Sequence, residues 1–290
     1  MLKDPTFTLK ITKKALKECE KRFNEVIKLI KKSVKDGGIA RFVNNAEKFM
    51  DNKFQYTTSQ EYIDAFLLWL EKTMQEAIFD NITEAEQLWL NTYVKDAYSR
   101  GITLSQAAIE NAAPALGIEA QIGVISLTQN VAQRLLISQH LERTQIIYSR
   151  VFEALKGIDR DMANNIRNIL TDGIFAGKAP DKLAEEMVKR VNITLNRAKL
   201  IARTEIIRAN HEAVIADADA TADAFRALGT ETKFKWRTGQ DDRVRPTHKA
   251  RHDKIYSRQE IGSLIGEPNC RCSIFPVYED IKNEKILLNQ

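Results

Sequence analysis

The side chains able to do chemistry are concentrated after residue 197, in three short patches. A helical stretch contains the first, Ala-Arg-Thr-Glu at residues 202–205. The second runs from Trp236 to His248, and the third is Pro-Asn-Cys-Arg-Cys at residues 268–272. Acids, arginines, histidine and cysteines at this density suit proton transfer, metal ligation or a structural network of ion pairs.

The helix patch places several charges on one stripe. Glu205, Arg208 and Glu212 stand at i, i+3 and i+7 and therefore share a helix face, with His211 beside it. Such a stripe usually faces water, where each pair contributes roughly a few tenths of a kcal/mol. The alternative is that Arg203 and Glu205 are held against the unit that follows the helix.

The loop patch collects opposite charges beside a turn. Asp241, Arg243, Arg245 and His248 follow a segment that alternates like a strand and ends in Trp236. An aspartate can accept two hydrogen bonds from one guanidinium group, which would fix the loop without a ligand. A catalytic site with shifted pKa values has the same composition, so both interpretations stay open.

The helix patch and the loop patch carry complementary charges although more than thirty residues separate them. We therefore expect Glu205 to pair with Arg243 or Arg245. Asp241 should pair with Arg203 in the same way. Such contacts would fix the later β unit on the helix.

A zinc site is the other chemistry to consider. His248, His252, Cys270 and Cys272 supply two nitrogens and two sulfurs, an acceptable tetrahedral set. The Cys-x-Cys spacing, however, is tighter than that of the usual zinc cysteines, and the histidines lie some twenty residues upstream. Two cysteines on one face of a strand also pack well as small apolar residues. We therefore expect no bound metal and no other cofactor.

Composition and motifs exclude several classes of protein. No nucleotide-binding glycine loop, Gly-x-Ser-x-Gly elbow or His-Glu-x-x-His pair occurs in the 290 residues. With 12 Gly and 6 Pro, the chain is neither collagen-like nor Pro-rich. Its apolar stretches are too short for a membrane span, and lysines interrupt any signal-peptide core. Three cysteines do not form a disulfide framework, so we expect a cytoplasmic product without a membrane partner.

Apolar residues recur every three or four positions from residue 12 to about 228, which is the period of an α-helix. Capping boxes predict helix starts near residues 59 and 84, and Gly101 predicts the end of the second helix. Residues 103–123 predict two short helices or a flexible connection. Residues 124–155 predict one long helix.

Three further helices are predicted after Asp159. Their bounds are Asp159 to Gly173–Gly177, Pro180 onwards, and a Thr194 cap to Gly229. Alternation at residues 233–237 and an apolar run before Pro276 then predict two short strands. The fold class is mainly α with a small C-terminal α+β unit. We divide the chain into an extended helical N-terminal region, residues 1–157, and a second domain, residues 158–290, of three helices plus short strands.

Positive charge is concentrated in two segments. Residues 1–35 hold eleven Lys or Arg against four acids, and residues 233–258 hold nine against three, although the net charge is only +5. Basic faces of this kind attract phosphate independently of sequence. The alternative is that the basic residues of 1–35 form the solvent-exposed side of an amphipathic helix, whose apolar positions include Leu16, Phe23 and Ile30. The nucleic-acid candidates are Lys13, Lys14, Lys17, Lys21, Lys28, Lys31 and Lys32.

The three patches, in this order, resemble the head-morphogenesis or minor head protein family of tailed bacteriophages, the group related to the F protein of phage Mu. Each motif alone is weak, but three in the same order are specific. The resemblance covers about residues 159–278. Its matching positions are Arg203, Thr204, Glu205, Trp236, Thr238, Asp241, Arg243, Arg245, His248, Pro268, Asn269, Cys270, Arg271 and Cys272. The family often has His where this chain has Glu267, and the stretch between His248 and Pro268 is short; both departures weigh against a metal site.

The resemblance implies a non-enzymatic virion protein. Such a protein is made in the host cytoplasm and built at low copy into the capsid interior, with its N-terminal region against the portal or capsid. The implied partners are the portal protein, scaffold or major capsid protein, and double-stranded DNA bound without sequence preference. A position inside the capsid near the portal implies that the chain takes part in head morphogenesis and in DNA ejection.

Two rival functions stay open at the level of sequence. One is a metal-dependent nuclease or toxin-like transferase whose active site is formed by Arg203, Glu205, Asp241 and His248. The other is a DNA-binding or scaffolding adaptor that is absent from the mature particle.

Overall fold

The computed structural model describes residues 4–35, 59–116, 130–176, 178, 180–281 and 285–287. The fold is mainly α-helical with a small antiparallel sheet near the C-terminus, which confirms the predicted fold class. The helices are α1 (Leu9–Lys35), α2 (Ser59–Ala77), α3 (Trp89–Leu116), α4 (Val131–Arg134), α5 (Ser138–Phe175), α6 (Pro180–Ala227), α7 (Pro246–Lys249) and α8 (Arg258–Leu264). The strands are β1 (Thr230–Arg237), β2 (Ile255–Tyr256), β3 (Ser273–Asp280) and β4 (Lys285–Leu287). No helix in the described ranges combines the length and apolarity that a membrane crossing requires.

The chain forms two compact units. The first consists of Met1–Lys14, Leu90–Arg150 and Ala202–Gln290, and the second of Ala15–Trp89 and Val151–Ile201. The predicted boundary at residues 157 and 158 stays a prediction; α5 is continuous across it.

The second unit has an apolar core of its own. Phe66 and Leu70 of α2 are fully buried, and Phe79 packs edge-on against Phe152 with 6.0 Å between ring centroids. A groove of about 520 Å³ between α2 and α5 includes Asp159 in its lining. Burial and the nearby Glu71 raise the pKa of Asp159 to about 6.

The first unit contains the sheet, whose strand order is β2-β1-β3-β4. All eight residues of β1 pair with β3 in antiparallel register, with Trp236 opposite Ile274 and Phe234 opposite Pro276. The second strand therefore continues through Pro276, where the sequence predicts its end, because β1 pairs with residues on both sides of the proline. Val214 and Ile215 of α6 belong to the same buried cluster as Trp236 and Ile274, so this helix covers the sheet.

Gly101 does not end a helix, contrary to the prediction. The predicted start near residue 84 is a short 3-10 turn, Ala85–Gln87, and α3 then runs through Gly101 to Leu116. A Cβ atom at Gly101 would lie 2.3 Å from the carbonyl oxygen of Asn210 and 2.7 Å from Cβ of Ala213. The glycine therefore allows α3 and α6 to approach closely. The predicted break after residue 102 is wrong for 103–116, and residues 117–129 lie outside the described ranges.

The predicted division of α6 is also wrong. Pro180 begins a helix as expected, but this helix continues for 48 residues. Thr194 lies inside it and donates its hydroxyl to the carbonyl of Arg190 at 3.2 Å instead of capping a new start. The predicted helix 124–155 and the predicted start at Asp159 are likewise replaced, within the described residues, by the short α4 and by α5 from Ser138 to Phe175.

Candidate functional site

His248, Cys270 and Cys272 come together in the first unit. Pro246 opens the short helix α7 and His248 follows on it, while the two cysteines immediately precede β3. Nδ1 of His248 lies 3.3 Å from Sγ of Cys272 and 3.5 Å from Sγ of Cys270. The three side chains are 2%, 2% and 7% exposed for His248, Cys272 and Cys270, so they form a buried polar cluster, here called the Cys–His cluster.

The cluster rests on a fully buried tryptophan. The ring of Trp236 on β1 meets the His248 ring edge-on, with 5.7 Å between centroids, and Arg251 lies 5.3 Å above the tryptophan. Alternation along β1 turns Phe234 and Trp236 inward. The strand thus fixes the imidazole from one side.

Glu267 holds the other nitrogen of His248. Its Oε2 lies 2.8 Å from Nε2 of His248, and Arg251 donates to Oε1 at 2.8 Å. Burial raises the pKa of Glu267, but the hydrogen bonds from Arg251 and His248 outweigh this effect, and the net shift is downward. The carboxylate is therefore ionised and accepts a hydrogen bond from Nε2–H of His248.

Gly266 sets the position of Glu267. It has φ +86, and an added Cβ would lie 3.1 Å from the Arg208 side chain of α6. This conformation is one that glycine adopts at little cost. It turns the chain from α8 into the loop that carries Glu267 and the cysteines.

The two thiols of the cluster differ. A hydrogen bond from the Cys272 thiol is the main cause that lowers the pKa of Cys270 to about 6, against the opposing effect of burial. The backbone N–H of Cys272 adds to it, 3.4 Å from Sγ of Cys270. The same hydrogen bond, together with burial, raises the pKa of Cys272.

His211 supports the cluster from α6. Its Nε2 lies 2.8 Å from the carbonyl oxygen of Cys272. Burial lowers its pKa to about 4, more than the contact with this carbonyl raises it. His211 is therefore neutral near pH 7 and donates Nε2–H to the carbonyl.

Asp241 pairs with Arg271, not with Arg203 as predicted. Arg271 donates two hydrogen bonds to its carboxylate, at 2.6 and 2.8 Å, and Arg243 adds a third at 3.1 Å. The hydrogen bonds from Arg271, followed by those from Arg243, hold the pKa of Asp241 far below its usual value despite some desolvation. Arg203 is exposed on α6. Arg271 stands between the two cysteines, just before β3, and reaches the loop from there.

Glu205 pairs with Arg150, so the predicted pairing with Arg243 or Arg245 is wrong. Nε and Nη2 of Arg150 lie 2.8 and 2.7 Å from Oε2 of Glu205. Nη1 of Arg150 also lies 3.1 Å from Glu212, which Arg208 contacts at 2.9 Å. Glu205 and Glu212 are only 8% and 5% exposed, so this stripe is not solvated. No motif identifies Arg150, which lies 55 residues upstream of Glu205.

Arg245 pairs with the segment before β3, and Arg243 pairs within its own loop. Arg245 donates to Oε2 of Glu267 at 3.0 Å and to the carbonyl of Pro268. Arg243 is 79% exposed beyond its contact with Asp241. The helix patch meets the third patch through Thr204, whose hydroxyl accepts the N–H of Asn269 at 3.2 Å.

His252 is not part of the Cys–His cluster. Its Nδ1 accepts the N–H of Thr238 at 3.0 Å, and its Nε2 faces Gln240. Three of the four zinc candidates therefore converge, and the fourth has another role.

The rival catalytic set is not assembled by direct contacts. Within the described ranges, no hydrogen bond or ion pair joins any two of Arg203, Glu205, Asp241 and His248. Glu205, Asp241 and His248 each bind other partners, which are Arg150, Arg271 and the Cys–His cluster with Glu267.

The lysines of α1 form an exposed face, as the amphipathic pattern predicts. Phe23 and Ile30 are buried on the opposite side, while all seven candidate lysines are exposed. Within the described ranges only Lys28 of the seven has an ion pair, 3.6 Å from Glu25. This set of seven lysines is here called the α1 lysine face.

Most cations of the second basic segment have an acidic partner inside the first unit. Seven of its nine cations lie in ion pairs, which are Lys233 with Glu279, Lys235 and Arg237 with Asp253, Arg243 with Asp241, Arg245 and Arg251 with Glu267, and Arg258 with Asp219. Lys249 and Lys254 remain exposed. Three acids from outside the segment, Glu279, Glu267 and Asp219, therefore offset about half of the charge excess of residues 233–258.

Comparisons with known proteins agree with the motifs. Residues 164–275 match the family described as Phage Mu protein F like protein, and this range includes all three patches. A curated relative, the Minor head protein GP7 of Bacillus phage SPP1, is 27% identical over 134 residues. The alignment covers 41% of this chain and 42% of the relative, so the chain spans about two fifths of that protein. No solved structure matches the chain significantly. The resemblance inferred from the motifs is confirmed.

Proposed function

We propose that this chain, whose residues 164–275 match the family of Phage Mu protein F like proteins, is a minor head protein of a tailed bacteriophage. In this proposal the protein is made in the host cytoplasm and enters the capsid interior at low copy near the portal. There it contacts the packaged DNA.

The match over residues 164–275 is the observation that carries the assignment to the head. The name of the relative from phage SPP1 supports the same role. The internal use of the motif residues agrees with it, since Glu205 and Asp241 are bound by arginines of the chain itself. An architectural role needs such contacts and no free reactive group.

Contact with DNA is proposed for the α1 lysine face. Its lysines project from one helix over more than five turns, and only Lys28 has an acidic partner within the described residues. Uncompensated ammonium groups in a row can follow a phosphate backbone and release its counterions. We assign the contact to α1 and not to residues 233–258, because most cations of that segment already pair with acids.

Replacing part of the α1 lysine face should weaken DNA binding and reduce its salt dependence. The variant carries Lys→Gln at Lys13, Lys14, Lys17 and Lys21, all exposed. Each lysine that no longer neutralises a phosphate lowers the slope of log K against log salt by about 0.9, so four such lysines lower it by up to about 3 to 4. Fluorescence anisotropy with duplexes of unrelated sequence, at several salt concentrations, measures both quantities.

A second variant controls for net charge. It carries the same four charge removals at exposed lysines outside α1, which are Lys72, Lys95, Lys182 and Lys189. The affinity of this control should stay within about twofold of the unchanged protein, since its lysines do not form one face. If both variants lost affinity equally, net charge and not a contact with α1 would explain the binding. If neither variant lost affinity, the proposed contact between α1 and DNA would be refuted.

The protein partner is proposed to be the portal, the scaffold or the major capsid protein. A docked N-terminal region, residues 1–157, would leave the Mu F-like domain free to pack. Co-expression of the tagged chain with each candidate and affinity capture identifies which of the three binds. Capture of none of them would contradict assembly through a head component.

A further inference from the structure

We propose that His248, Cys270 and Cys272 bind one zinc ion through Nδ1 and the two sulfurs. The sequence favours the absence of a metal, because of the Cys-x-Cys spacing and because Glu267 stands where a further ligand would be expected. The folded geometry favours the opposite conclusion. This inference does not depend on the proposed function.

The separations between the ligand atoms are those of a metal site. All three donor atoms lie within 4.8 Å of one another, and all three residues are buried. Zn–S bonds of about 2.3 Å and a Zn–N bond of about 2.0 Å, at tetrahedral angles, place N and S about 3.5 Å apart. Nδ1 of His248 lies 3.3 and 3.5 Å from the two sulfurs. These N–S separations agree with zinc coordination to within a few tenths of an ångström, and the two sulfurs lie within 4.8 Å of each other, against about 3.8 Å on one tetrahedral zinc.

Glu267 takes a role other than that of a ligand. It contacts Nε2 of His248 at 2.8 Å, on the ring edge opposite the sulfurs. This contact fixes the tautomer in which Nδ1 presents its lone pair to the metal, the usual arrangement for a zinc-binding histidine. Arg251 and Arg245 in turn hold the carboxylate at 2.8 and 3.0 Å. In the sequence, Glu267 weighs against a metal site because it replaces a possible ligand. In the folded protein, the same residue orients His248.

The ligand chemistry selects the metal. Two thiolates and an imidazole suit zinc, whereas calcium and magnesium prefer oxygen. The thiolates neutralise the charge of the divalent ion, which lowers the cost of burying it in a site this enclosed. The N–H of Cys272, 3.4 Å from Sγ of Cys270, supplies a hydrogen bond to a ligating sulfur. Three protein ligands leave the fourth position to a water molecule.

The site would hold a loop-rich part of the first unit together. His248 lies on the four-residue α7, and the cysteines stand at the entry to β3, 22 and 24 residues along the chain. α7 is a single four-residue turn, and the cysteines lie just outside the paired residues of β3. One metal ion cross-links the two segments.

Elemental analysis of the full-length protein tests the proposal directly. Protein refolded or expressed with zinc and then dialysed should retain about one zinc per chain, and C270S, C272S and H248A should each lower this at least fivefold. Replacement by Co²⁺ should give sulfur-to-cobalt charge-transfer absorption and the intense visible bands of a tetrahedral site.

Two matched variants keep the test specific. His252→Ala removes a nearby histidine that faces Thr238 and Gln240, and C19A removes the buried cysteine of α1. Both should retain the full zinc content. If a ligand variant does not fold, protection of two thiols of the unchanged protein from alkylation, abolished when zinc is chelated, decides the question instead. Folded protein with less than about 0.1 zinc per chain and no cobalt–thiolate absorption would overturn the proposal.

Discussion

Glu205 carries a charge into the interior of the first unit, where Arg150 neutralises it. The carboxylate is 11% exposed and the guanidinium 25%, so water screens this pair less than it screens a surface pair. Arg150 also bridges to Glu212, which makes it the centre of a small network. Glu205, which belongs to the Ala-Arg-Thr-Glu motif, thus holds α6 to α5 through its ion pair with Arg150.

Loss of Glu205 should destabilise the protein markedly. Glu205→Ala leaves part of the charge of a half-buried guanidinium unpaired, and we expect a loss of about 3 kcal/mol in the free energy of unfolding. Urea denaturation measures this loss. In a double-mutant cycle, Glu205→Ala and Arg150→Ala should couple by more than about 1 kcal/mol because the two side chains touch.

The cycle of Glu205→Ala with Arg243→Ala is the matched control. Arg243 is 79% exposed and contacts Asp241, so the two losses should add within about half a kcal/mol. Strong coupling between Glu205 and Arg243, or none with Arg150, would contradict the observed pairing.

Asp159 is a partly buried acid of the second unit, and burial disfavours its charged form. Its Oδ1 is buried and has no hydrogen-bond partner among the described residues, and its pKa is raised from 3.8 to about 6. As pH rises, the unfolded chain loses this proton before the folded protein does. The contribution of the neutral carboxyl group to the free energy of unfolding is therefore complete below about pH 4. It is lost as pH rises through about 6. Asp159 therefore costs stability at neutral pH.

Asp159→Asn should stabilise the protein at neutral pH by up to about 3 kcal/mol, with the gain shrinking towards pH 4. Unfolding free energies at both pH values check the sign. Asp161→Asn, at a 52% exposed aspartate that pairs with Arg197, should show no such gain. A gain that grows on acidification would contradict the burial of an uncompensated carboxyl group.

The sequence leaves a local ion-pair network in the loop as one open interpretation, and Arg243 beside Asp241 is a pair of that kind. The specific partners that the sequence predicts, Arg203 for Asp241 and Arg243 or Arg245 for Glu205, are wrong. The sequence does not predict the partners Arg150 and Arg271. A carboxylate pairs with the guanidinium group that the folded helices and strands bring nearest, and the composition of the chain does not specify which one that is. The convergence of His248 with the cysteines depends in the same way on the pairing of β1 with β3.

At the scale of elements, Gly101 shows how packing overrides a local signal. A glycine after a helical pattern usually marks a helix end, but here it removes the side chain that would separate α3 from α6. The periodic pattern predicts that helices exist, and the amphipathic α1 and the start of α2 at Ser59 follow it. Their ends depend on neighbours that the pattern does not specify.

Gly101→Ala should therefore destabilise the protein although alanine favours helices. The new Cβ would meet backbone oxygen at 2.3 Å, and backbone cannot move aside as a flexible side chain can. We expect a loss of about 2 kcal/mol or more, by analogy with overpacked cores. Thermal unfolding followed by circular dichroism measures the effect.

Gly157→Ala provides the comparison. Gly157 lies inside α5 with nothing within 4 Å of an added Cβ, so the change should stabilise the protein by about 0.5 to 1 kcal/mol. If both variants were stabilised, the close approach of Gly101 to Asn210 would be refuted.

At the scale of the whole molecule, the order of three motifs predicts more than any single residue does. The motifs predict the resemblance that the match over residues 164–275 confirms, and the fold class follows from helical periodicity and the late change to alternation. The role of each motif residue could not be predicted, because an ion-pair network and an active site have the same composition. In the structure the motif residues form ion pairs within the first unit, and the lysines of the α1 lysine face are exposed.

The central claim is that the chain is a low-copy component of the phage head. Quantitative mass spectrometry of purified, DNA-filled particles of the phage that encodes it, with labelled peptides from this chain and from the major capsid protein, tests it most directly. The account predicts peptides of this chain at a small, fixed ratio to the major capsid protein, a few copies per particle. Mature particles that contain none of it would contradict the account and favour the adaptor that leaves before the head is complete.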